Sequence, residues 1–382
     1  MDCYITDLGV FLPNDPVSND EMEKILGMAG EVPSRTRQII LRNNQIRQRY
    51  YALDPVSGRS THSNAKLTAN AIRNLMPYDG FAVDDIECLC CGTGTPDQLL
   101  PGHGLMVHGE LGSRPCEVIS TSGICLSGLT ALKYAYMNVA LGMSKNAVAT
   151  GSEAASSFLN ARFFKSGPHK HHEELTKRPA LLFNADFLRW MLSDGAAAAF
   201  LTRAPEAGKL ALRIDWIEHV SFASHFETCM YAGCFKNADG DLRGWREFES
   251  IHEAVEEGAF NLQQDVKLLN REIVRTAVDL TLPAVIKKHS LKTGDVDWFL
   301  PHYSSHFFKG ALHDAMMRIG FGIPMERWYS NLATKGNTGS AAIYIILEEL
   351  FKSGRVCRED KLLCLIPESG RFSMCYMMMT AV

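Results

Sequence analysis

Short apolar runs alternate with longer helical patterns along most of the chain. Strand-like runs are found at 86–97, 116–120, 146–156, 195–204, 296–304, 361–369 and 372–382. Between several of them, apolar residues recur every three to four positions, as in Asn64–Leu75 and Arg271–His289, and this period predicts helices. A further short strand is predicted over Tyr4–Val10. Strands that alternate with helices in this way predict an α/β fold with largely buried sheets.

A weak internal repeat divides this pattern into two halves. In each half an acidic turn precedes a strand and a loop, and a turn of small residues then opens an apolar helix that leads to another strand. Cys125 lies 39 positions after Ile86, and Asn337 lies 41 positions after Val296, so the two residues occupy equivalent helix starts. The repeat predicts two duplicated halves, 1–204 and 205–382, whose helix starts meet near a pseudo-twofold axis.

The least regular stretch of the chain, 160–190, is long, basic and rich in histidine. We expect it to leave the scaffold as a lid or a pocket wall. Its histidines, His169, His171 and His172, are too close together on a loop for all of them to face one ion, so a solvated loop is favoured and no metal site is predicted.

Composition excludes several classes of protein. The 382 residues are 46% hydrophobic and 21% charged, which is typical of globular proteins, and the formal net charge of −4 gives no reason to expect nucleic-acid binding. No apolar run approaches the ~18 residues of a membrane span, and the first residues do not form a signal peptide. Eleven cysteines, an odd number, indicate reduced thiols. We therefore expect a soluble, cytoplasmic protein.

Cys125 is a candidate nucleophile because of its place in the repeat. A helix N-terminus carries partial positive charge and unpaired N–H groups, which favour the thiolate form of a cysteine. The N–H of such a residue also points toward the oxyanion that nucleophilic attack would form. A buried inert thiol is the alternative interpretation, and it would be preferred if Cys125 stood alone.

Two residues of the second half could supply the hydrogen-bond donors that acyl chemistry at Cys125 requires. His302 follows an apolar strand in "FLPHYSS", and Asn337 opens the equivalent helix in "KGNTGSAA". A cysteine can hold an acyl group as a thioester, while neutral N–H donors polarise a second thioester and stabilise its enolate. Taken singly, His302 is compatible with a core histidine and Asn337 with a helix cap.

From end to end, the chain resembles a type III β-ketoacyl-acyl-carrier-protein synthase of the thiolase superfamily. The matching segments are "VFLPNDPVSNDEM", "NNQIRQRYYA", "TGTPDQLLPGHGLMVHGELG", "SDGAAAAFL" and "ESGRFSMCYMMM". The resemblance implies an α/β thiolase-like fold, in which two duplicated halves form five layers (α-β-α-β-α). The nucleophile would belong to the half 1–204, and the histidine and asparagine to the half 205–382.

The same resemblance implies roles for individual residues. Cys125 would accept the acyl group, and His302 with Asn337 would donate to the second thioester. The N–H of Gly370 would complete the oxyanion hole beside that of Cys125. A homodimer is implied, with Leu100 projecting into the acyl pocket of the partner subunit. No cofactor is expected, because the substrates are carried on the phosphopantetheine of an acyl carrier protein or of coenzyme A.

The chain departs from the family pattern at three places. Ser305 stands where the family has an asparagine that orients the histidine through water. Gln38, four positions before Arg42, replaces a tryptophan that helps to grip the adenine of coenzyme A, which favours carrier-protein substrates. The terminal glycine cluster is reduced to Gly370. These departures argue against a housekeeping initiator of fatty-acid synthesis.

Four basic residues are candidates for binding an acidic carrier protein near the mouth of the site. They are Lys165, Lys170, Lys309 and Arg318. Solvated surface charges without a partner are the alternative interpretation.

The segments "FLPNDPVSNDE", "PSRTRQIILRNNQIRQRYYA" and "PHYSSHFFKG" resemble a specialised branch of the family, whose members form 1,3-cyclohexanediones on the way to dialkylresorcinols and related stilbenes. That resemblance implies that a β-ketoacyl thioester and an α,β-unsaturated acyl thioester are joined by one Claisen condensation and one Michael addition. Such a cyclase needs a further proton shuttle, for which Glu153 is the candidate. A structural carboxylate at the dimer interface is an equally good interpretation of Glu153.

Three rival functions remain open at the level of sequence. The first is ordinary chain initiation with malonyl-acyl-carrier protein. The second is an O- or N-acyltransferase on the same fold, with His302 as a general base. The third is a non-catalytic subunit of a heterodimeric synthase, against which the presence of Cys125, His302 and Asn337 together argues.

Overall fold

A computed structural model describes residues 2–29, 32–163 and 186–382 of the chain. The strands are β1 (Tyr4–Phe11), β2 (Val17–Ser18), β3 (Gln48–Arg49), β4 (Cys88–Thr93), β5 (Glu117–Ser122), β6 (Asn146–Glu153), β7 (Gly195–Thr202), β8 (Leu212–Ser221), β9 (Met230–Tyr231), β10 (Cys234–Lys236), β11 (Leu242–Gly244), β12 (Gln263–Gln264), β13 (Trp298–Pro301), β14 (Lys361–Glu368) and β15 (Ser373–Ala381).

The helices lie between and around these strands. They include α1 (Met22–Leu26), α2 (Arg37–Asn44), α3 (Asn64–Arg73), α4 (His103–Leu111), α5 (Ser127–Ala140), α6 (Ser156–Leu159), α7 (Ile251–Glu256), α8 (Val266–Val274), α9 (Leu282–His289), α10 (Phe307–Arg318), α11 (Leu332–Lys335) and α12 (Ala342–Lys352). One-turn 3-10 helices include Val83–Asp85, Trp245–Glu247, Thr293–Asp295, Met325–Arg327 and Gly339–Ala341. Within the described ranges, no helix is both long and apolar enough to cross a membrane.

Nine strands are hydrogen-bonded in the order β13-β14-β15-β8-β1-β7-β6-β4-β5. The five strands from β5 to β1 come from residues 4–202, and the other four come from residues 212–381. The two sets are linked by a two-residue antiparallel pairing of β1 with β8. In each set, the first and the last strand of the repeated unit form a parallel pair. These strands are β4 and β6 in the first set and β13 and β14 in the second.

Side chains on alternate positions of the strands pack into different layers. On β7, Ala196, Ala198 and Phe200 pack with α3 and α4, while Ala197, Ala199 and Leu201 pack with α5 and α12. On β15, Met377 and Met379 face the same central helices, and Met374, Tyr376 and Met378 face α8, α9 and α10. Because both faces of both sets of strands are covered by helices, the layers run α-β-α-β-α from one side of the molecule to the other.

The predicted helix at Arg271–His289 contains a local irregularity. Residues 271–274 are the last turn of α8. A π-helical segment follows at Arg275–Thr281, and α9 forms the rest of the predicted helix. Pro283 near the start of α9 has no N–H to donate to the preceding turn, and the hydroxyl of Thr281 donates to the carbonyl of Thr276 at 2.7 Å. A proline with a freed carbonyl is an ordinary cause of a widened turn.

The two halves meet where the first turn of α5 and strand β6 contact the turn before α12. A Cβ atom on Gly128 or on Gly151 would overlap the carbonyl oxygen of Ser340. The hydroxyl of Ser340 accepts from the N–H of Ser152 at 3.1 Å and donates to its carbonyl at 2.9 Å. Tyr344 of α12 donates its hydroxyl to the carbonyl of Gly128 at 2.8 Å. The backbones of the two halves therefore touch without intervening side chains.

Gly128→Ala tests this contact. The added methyl group must displace the backbone of Ser340, so we expect the free energy of unfolding to fall by about 2–3 kcal/mol. Urea denaturation followed by circular dichroism measures this loss. Gly109→Ala in α4 is the matched control, because no atom lies within 4 Å of its Cβ and helix propensity should raise stability by about 0.5–1 kcal/mol. Equal effects of the two substitutions would mean that the halves do not depend on close backbone contact.

Candidate active site

One pocket contains the four residues for which the sequence predicts catalytic roles. Cys125, Glu153, His302 and Asn337 all line it, together with Gly94 and Thr95 at the end of β4 and Gly339 before α12. The wall on the side of α8 and α10 is apolar and consists of Met230, Leu262, Leu269, Ile273, Val274, Ala277, Phe308 and Leu312. The repeat thus brings residues from both halves together in a single cavity.

Cys125 lies in the turn before α5, two residues from the start of the helix, and its side chain is buried. Burial raises the pKa of the Cys125 thiol well above its usual value, and the charges of Glu368 and Glu153 raise it further, while its own backbone N–H lowers it. The net shift of the thiol pKa is therefore opposite to the one expected from the helix N-terminus alone. Loss of hydration and two nearby carboxylates outweigh the helix dipole.

His302 follows β13 directly, and its backbone N–H donates to the carbonyl of Leu365 on β14 at 2.8 Å. The imidazole is buried, and this burial lowers the pKa of His302 to about 4. At neutral pH the ring is therefore uncharged and carries one N–H. This is the protonation state that a neutral hydrogen-bond donor requires.

Asn337 lies between α11 and the 3-10 turn before α12, and its backbone is fixed on both sides. Its N–H donates to the carbonyl of Met191 at 3.0 Å, and its own carbonyl accepts from Ser193 at 2.9 Å. Its side-chain oxygen accepts from the N–H of Gly339 at 3.0 Å. Because that oxygen is occupied by the turn, the NH₂ group is the part of the amide left to donate into the pocket.

Glu153 ends β6 and is buried between the loops that follow β4 and precede α12. Its carboxylate accepts from the N–H of Gly94 at 3.0 Å, the hydroxyl of Thr95 at 2.7 Å and the N–H of Ser340 at 3.3 Å. Burial nevertheless raises the pKa of Glu153 to about 7, against which these donors act. Gly339 has a φ of 53°, and a Cβ there would lie 2.7 Å from Cγ of Glu153, so the turn requires glycine. Glu153 is a carboxyl group that exchanges its proton near neutrality.

The N–H of Gly370 has a different partner from the one that the resemblance implies. It donates to the carboxylate of Glu368, at the end of β14, in a short hydrogen bond. Glu368 is buried as well, and its charge raises the pKa of Cys125. Sequence reasoning did not identify Glu368 as a site residue, although the reduced glycine cluster was the available signal.

The residues that mark departures from the family lie as follows. Ser305 is buried, and its hydroxyl accepts from the N–H of Phe307 at 3.2 Å, so it caps α10. Gln38 is exposed on α2. Leu100 lies in the loop after β4 with 84% of its surface exposed.

The basic residues on α10 differ in their partners. Arg318 is exposed and forms an ion pair with Asp279, with 2.6 Å between Nη2 and Oδ1. Lys309 is half-buried near the start of the same helix. The charge of Arg318 is thus already shared with a neighbouring carboxylate, which weakens its predicted role relative to that of Lys309.

Residues 164–185 are outside the described part of the chain. The predictions for His169, His171, His172, Lys165 and Lys170, and most of the predicted lid at 160–190, fall there. Among the residues that the structure does describe, no group of three or more His, Cys, Asp or Glu side chains is arranged to hold a metal ion.

Comparisons with known proteins agree with this geometry. The family model described as 3-oxoacyl-[acyl-carrier-protein (ACP)] synthase III C terminal matches residues 286–369. The β-ketoacyl-[acyl-carrier-protein] synthase III of Xanthomonas oryzae pv. oryzae is 26% identical over 362 residues, which cover 94% of this chain and 92% of the relative. Over most of its length the chain is therefore similar to ketosynthase III enzymes.

Two solved structures show the fold of this ketosynthase III-like chain. The tetronic acid condensing enzyme AbyA1 matches with a TM-score of 0.75 and 20% identity over 99% of each chain. OleA from Xanthomonas campestris matches with a TM-score of 0.75 and 18% identity over 100% of this chain and 98% of its own. The predicted α/β thiolase-like fold is confirmed by these matches.

Thr95→Val tests the origin of the Glu153 proton affinity. The hydroxyl of Thr95 stabilises the ionised carboxylate, so its removal should raise the pKa of Glu153 further above about 7. Infrared difference spectra against Glu153→Gln, recorded across neutral pH, follow the carboxylic C=O band. Thr150→Val is the control, because Thr150 lies on β6, as Glu153 does, but forms no hydrogen bond with the Glu153 carboxylate. An unchanged titration in Thr95→Val would contradict the assignment.

Proposed function

We propose that the chain is a condensing enzyme that carries an acyl group on Cys125 and joins it to a second acyl thioester. The observation that supports this proposal best is the presence of Cys125, His302 and Asn337 in one pocket. The names of its relatives and of its structural neighbours describe condensing enzymes of the same kind. No cofactor is required for this reaction, because the thioesters supply the activated carbonyl groups.

Acylation of Cys125 is the first half of the reaction. The sulfur attacks the carbonyl carbon of the donor thioester, and the resulting oxyanion collapses with loss of the donor thiol, which takes up the proton of Cys125. The N–H of Cys125 stabilises the developing oxyanion. The raised pKa of the Cys125 thiol keeps the sulfur protonated near neutral pH, so the proton has to leave the sulfur during the attack.

Carbon–carbon bond formation is the second half. His302 and the NH₂ group of Asn337 donate to the carbonyl oxygen of the incoming thioester and stabilise the enolate formed when its α-carbon gives up a proton to the carboxylate of Glu153, which later returns that proton to the departing thiolate of Cys125. The low pKa of His302 keeps the ring neutral, so it donates without transferring its proton. The enolate carbon then attacks the acyl group on Cys125, whose thiolate leaves.

The ring-forming reaction requires a group that accepts and returns protons, and Glu153 supplies one. Its carboxyl lines the same pocket and has a pKa of about 7, so both protonation states are populated near neutrality. We therefore propose that a β-ketoacyl thioester and an α,β-unsaturated acyl thioester are joined by Michael addition and Claisen condensation to a 1,3-cyclohexanedione. Specialised metabolism of the dialkylresorcinol and stilbene type is the corresponding setting.

Single-turnover acylation tests the proposed roles of Cys125 and Asn337. Incubation with acyl-carrier-protein thioesters should give an acyl adduct by intact mass, which is lost in Cys125→Ala. Asn337→Asp keeps the oxygen that accepts from Gly339 but loses the NH₂ donor, so acylation should persist while condensation falls by about 100-fold or more. An adduct that survives in Cys125→Ala, or normal condensation in Asn337→Asp, would contradict these roles.

Product analysis tests the ring-forming step. The enzyme is supplied with a β-ketoacyl and a 2-enoyl thioester together, and we expect a cyclic dione by mass spectrometry. Glu153→Gln should remove the cyclic product but leave acylation of Cys125 intact, because the amide keeps the shape of the side chain and cannot take up a proton. A linear β-keto product formed from a malonyl donor would favour chain initiation, and an ester or amide formed from an added alcohol or amine would favour acyl transfer to oxygen or nitrogen.

A homodimer is proposed from the open edge of the sheet. Strand β5 is the last in the strand order, so within the part of the chain that the structure describes only β4 pairs with it. Exposed apolar side chains lie beside this edge on the preceding loop and helix, at Leu99, Leu100 and Leu105. An edge strand flanked by apolar surface is normally covered, and a second copy related by a twofold axis covers both edges at once. This arrangement would bring Leu100 to the partner subunit.

Replacement of the leucines by charged residues tests this interface. The double change Leu99→Glu and Leu100→Glu should shift the dimer toward monomer in sedimentation velocity, because four carboxylates would be buried without partners. Leu141→Glu is the control, since Leu141 is 70% exposed near the other end of α5. Wild-type protein that sediments as a monomer, or an equal effect of Leu141→Glu, would exclude this interface.

A further inference from the structure

The pocket that holds Cys125 has an apolar arm between β14 and α8. Along β14, Leu365 and Pro367 line the pocket at alternate positions, and Ser369 lines it just beyond the strand. The facing walls come from residues about one helical turn apart on α8, in the π-helical segment and on α10, namely Leu269, Ile273, Ala277, Phe308 and Leu312. Apart from Ser369 at one end, these lining side chains are apolar.

Both walls of the arm begin beside the nucleophile. A Cβ on Gly370 would lie 2.8 Å from Cδ1 of Ile124, the residue before Cys125. The carbonyl of Gly370 accepts from the N–H of Cys229 at 2.8 Å, and the carbonyl of Cys229 accepts from the N–H of Asp265 at 2.7 Å. Asp265 is the N-cap of α8. The end of β14 and the start of α8 therefore lie on the same side as the reactive sulfur.

The two walls also meet at their far ends. Leu365 is paired with Tyr376 on β15, and the buried hydroxyl of Tyr376 donates to the carbonyl of Ala277 at 3.0 Å. The N–H of Leu282 donates to the same carbonyl within the π-helical segment. Leu363, the next residue of β14 on this face, is fully buried in the core. The arm therefore has a closed inner end at Ala277, whose backbone is held by two donors.

The length and the lining of the arm suit an alkyl chain. Ser369 lies four residues beyond Leu365, which spans about 13 Å of extended backbone, and Leu269 lies eight residues before Ala277, which spans about 12 Å of helix. An extended alkyl chain advances by about 1.3 Å per carbon because its bonds of about 1.5 Å zigzag, so about ten carbons fit. A pantetheine chain carries amide groups, which these walls would leave without hydrogen-bond partners.

We propose that Ala277 sets the length of the acyl chain that the enzyme holds on Cys125. This inference rests on the proposed function, because it specifies the acyl group that is transferred. The chain extends from the thioester along the arm, and its last carbons contact Ala277 and Leu312. Each methylene group that enters the arm leaves water, so binding improves with chain length until the terminal carbon reaches the π-helical segment. Because the hydroxyl of Tyr376 holds the backbone of Ala277, a larger side chain at this position takes its space from the chain.

The experiment uses alkyl methanethiosulfonates, which place an alkyl chain on the sulfur of Cys125 without acyl transfer. The cysteine sulfur attacks the sulfur that bears the chain, and a disulfide forms. Methanesulfinate leaves with the electron pair of the broken S–S bond, and the thiol proton passes to the solvent. Labelling of the full-length enzyme by butyl, octyl, decyl and hexadecyl probes is followed by intact mass, and Cys125→Ala gives the labelling of the other thiols.

In the wild-type enzyme, the labelling rate should rise from the butyl to the decyl probe and fall for the hexadecyl probe. Ala277→Leu fills the inner end of the arm, so it should lower the decyl rate by about tenfold or more and leave the butyl rate unchanged. Ala284→Leu is the matched control, because Ala284 is exposed on α9 and the same change there should leave both rates at their wild-type values.

Leu312→Ala tests the arm in the opposite direction. The shorter side chain lengthens the space beside Ala277, so the hexadecyl rate should rise by about tenfold. This variant also serves if Ala277→Leu does not fold.

Two results would overturn the inference. The first is a wild-type labelling rate that does not depend on chain length. The second is a chain-length profile that stays the same in both Ala277→Leu and Leu312→Ala, because the chain would then lie elsewhere. Failure of the proposed function gives a different result. In that case Ala277→Leu changes the profile as expected, while octanoyl-N-acetylcysteamine never acylates the wild-type enzyme.

Discussion

The close backbone contact at Ser340 is the constraint on which the candidate site depends. Gly128 and Gly151 leave no side chain between α5, β6 and the turn before α12, so the central helices begin side by side. Cys125 lies three residues before Gly128, and Asn337 lies three residues before Ser340. The contact that joins the halves therefore also fixes Cys125 and Asn337 in one pocket. Both helices pack between the two sets of strands, which explains why their sequences are apolar over most of their circumference.

Burial determines the protonation of every polar group in the pocket. It raises the pKa of Cys125 and Glu153 and lowers that of His302, and each shift favours the neutral form. Near neutral pH, Cys125 and His302 are therefore uncharged, and Glu153 is divided between its neutral and its ionised form. A pocket of this kind is suited to uncharged thioesters and to reactions in which charge appears only transiently, because fixed N–H donors then act in a medium of low dielectric constant.

The sequence predicted the parts of this architecture that depend on repetition and on strand alternation. The equivalence of Cys125 and Asn337 could be read from spacing alone, since duplicated units must place equivalent residues at equivalent helix starts. The net shift of the thiol pKa was not predicted, because it comes first from burial and then from the charges of Glu368 and Glu153, and both depend on segments distant in sequence. The ion pair of Arg318 with Asp279 was missed for the same reason. The use of the Gly370 N–H by Glu368 depends on the orientation of one turn, which a sequence pattern does not specify.

The contact of Ser340 with Gly128 and Gly151 has a consequence for the construction of hybrid enzymes. The nucleophile and the pair of donors belong to different halves, so a second half taken from a relative would bring new donors and a new apolar wall to the same cysteine. Such an exchange can succeed only where the incoming turn presents its backbone to the two glycines at the same depth. Compatibility of two halves would then depend on this backbone contact, which leaves no room for even a methyl group at either glycine.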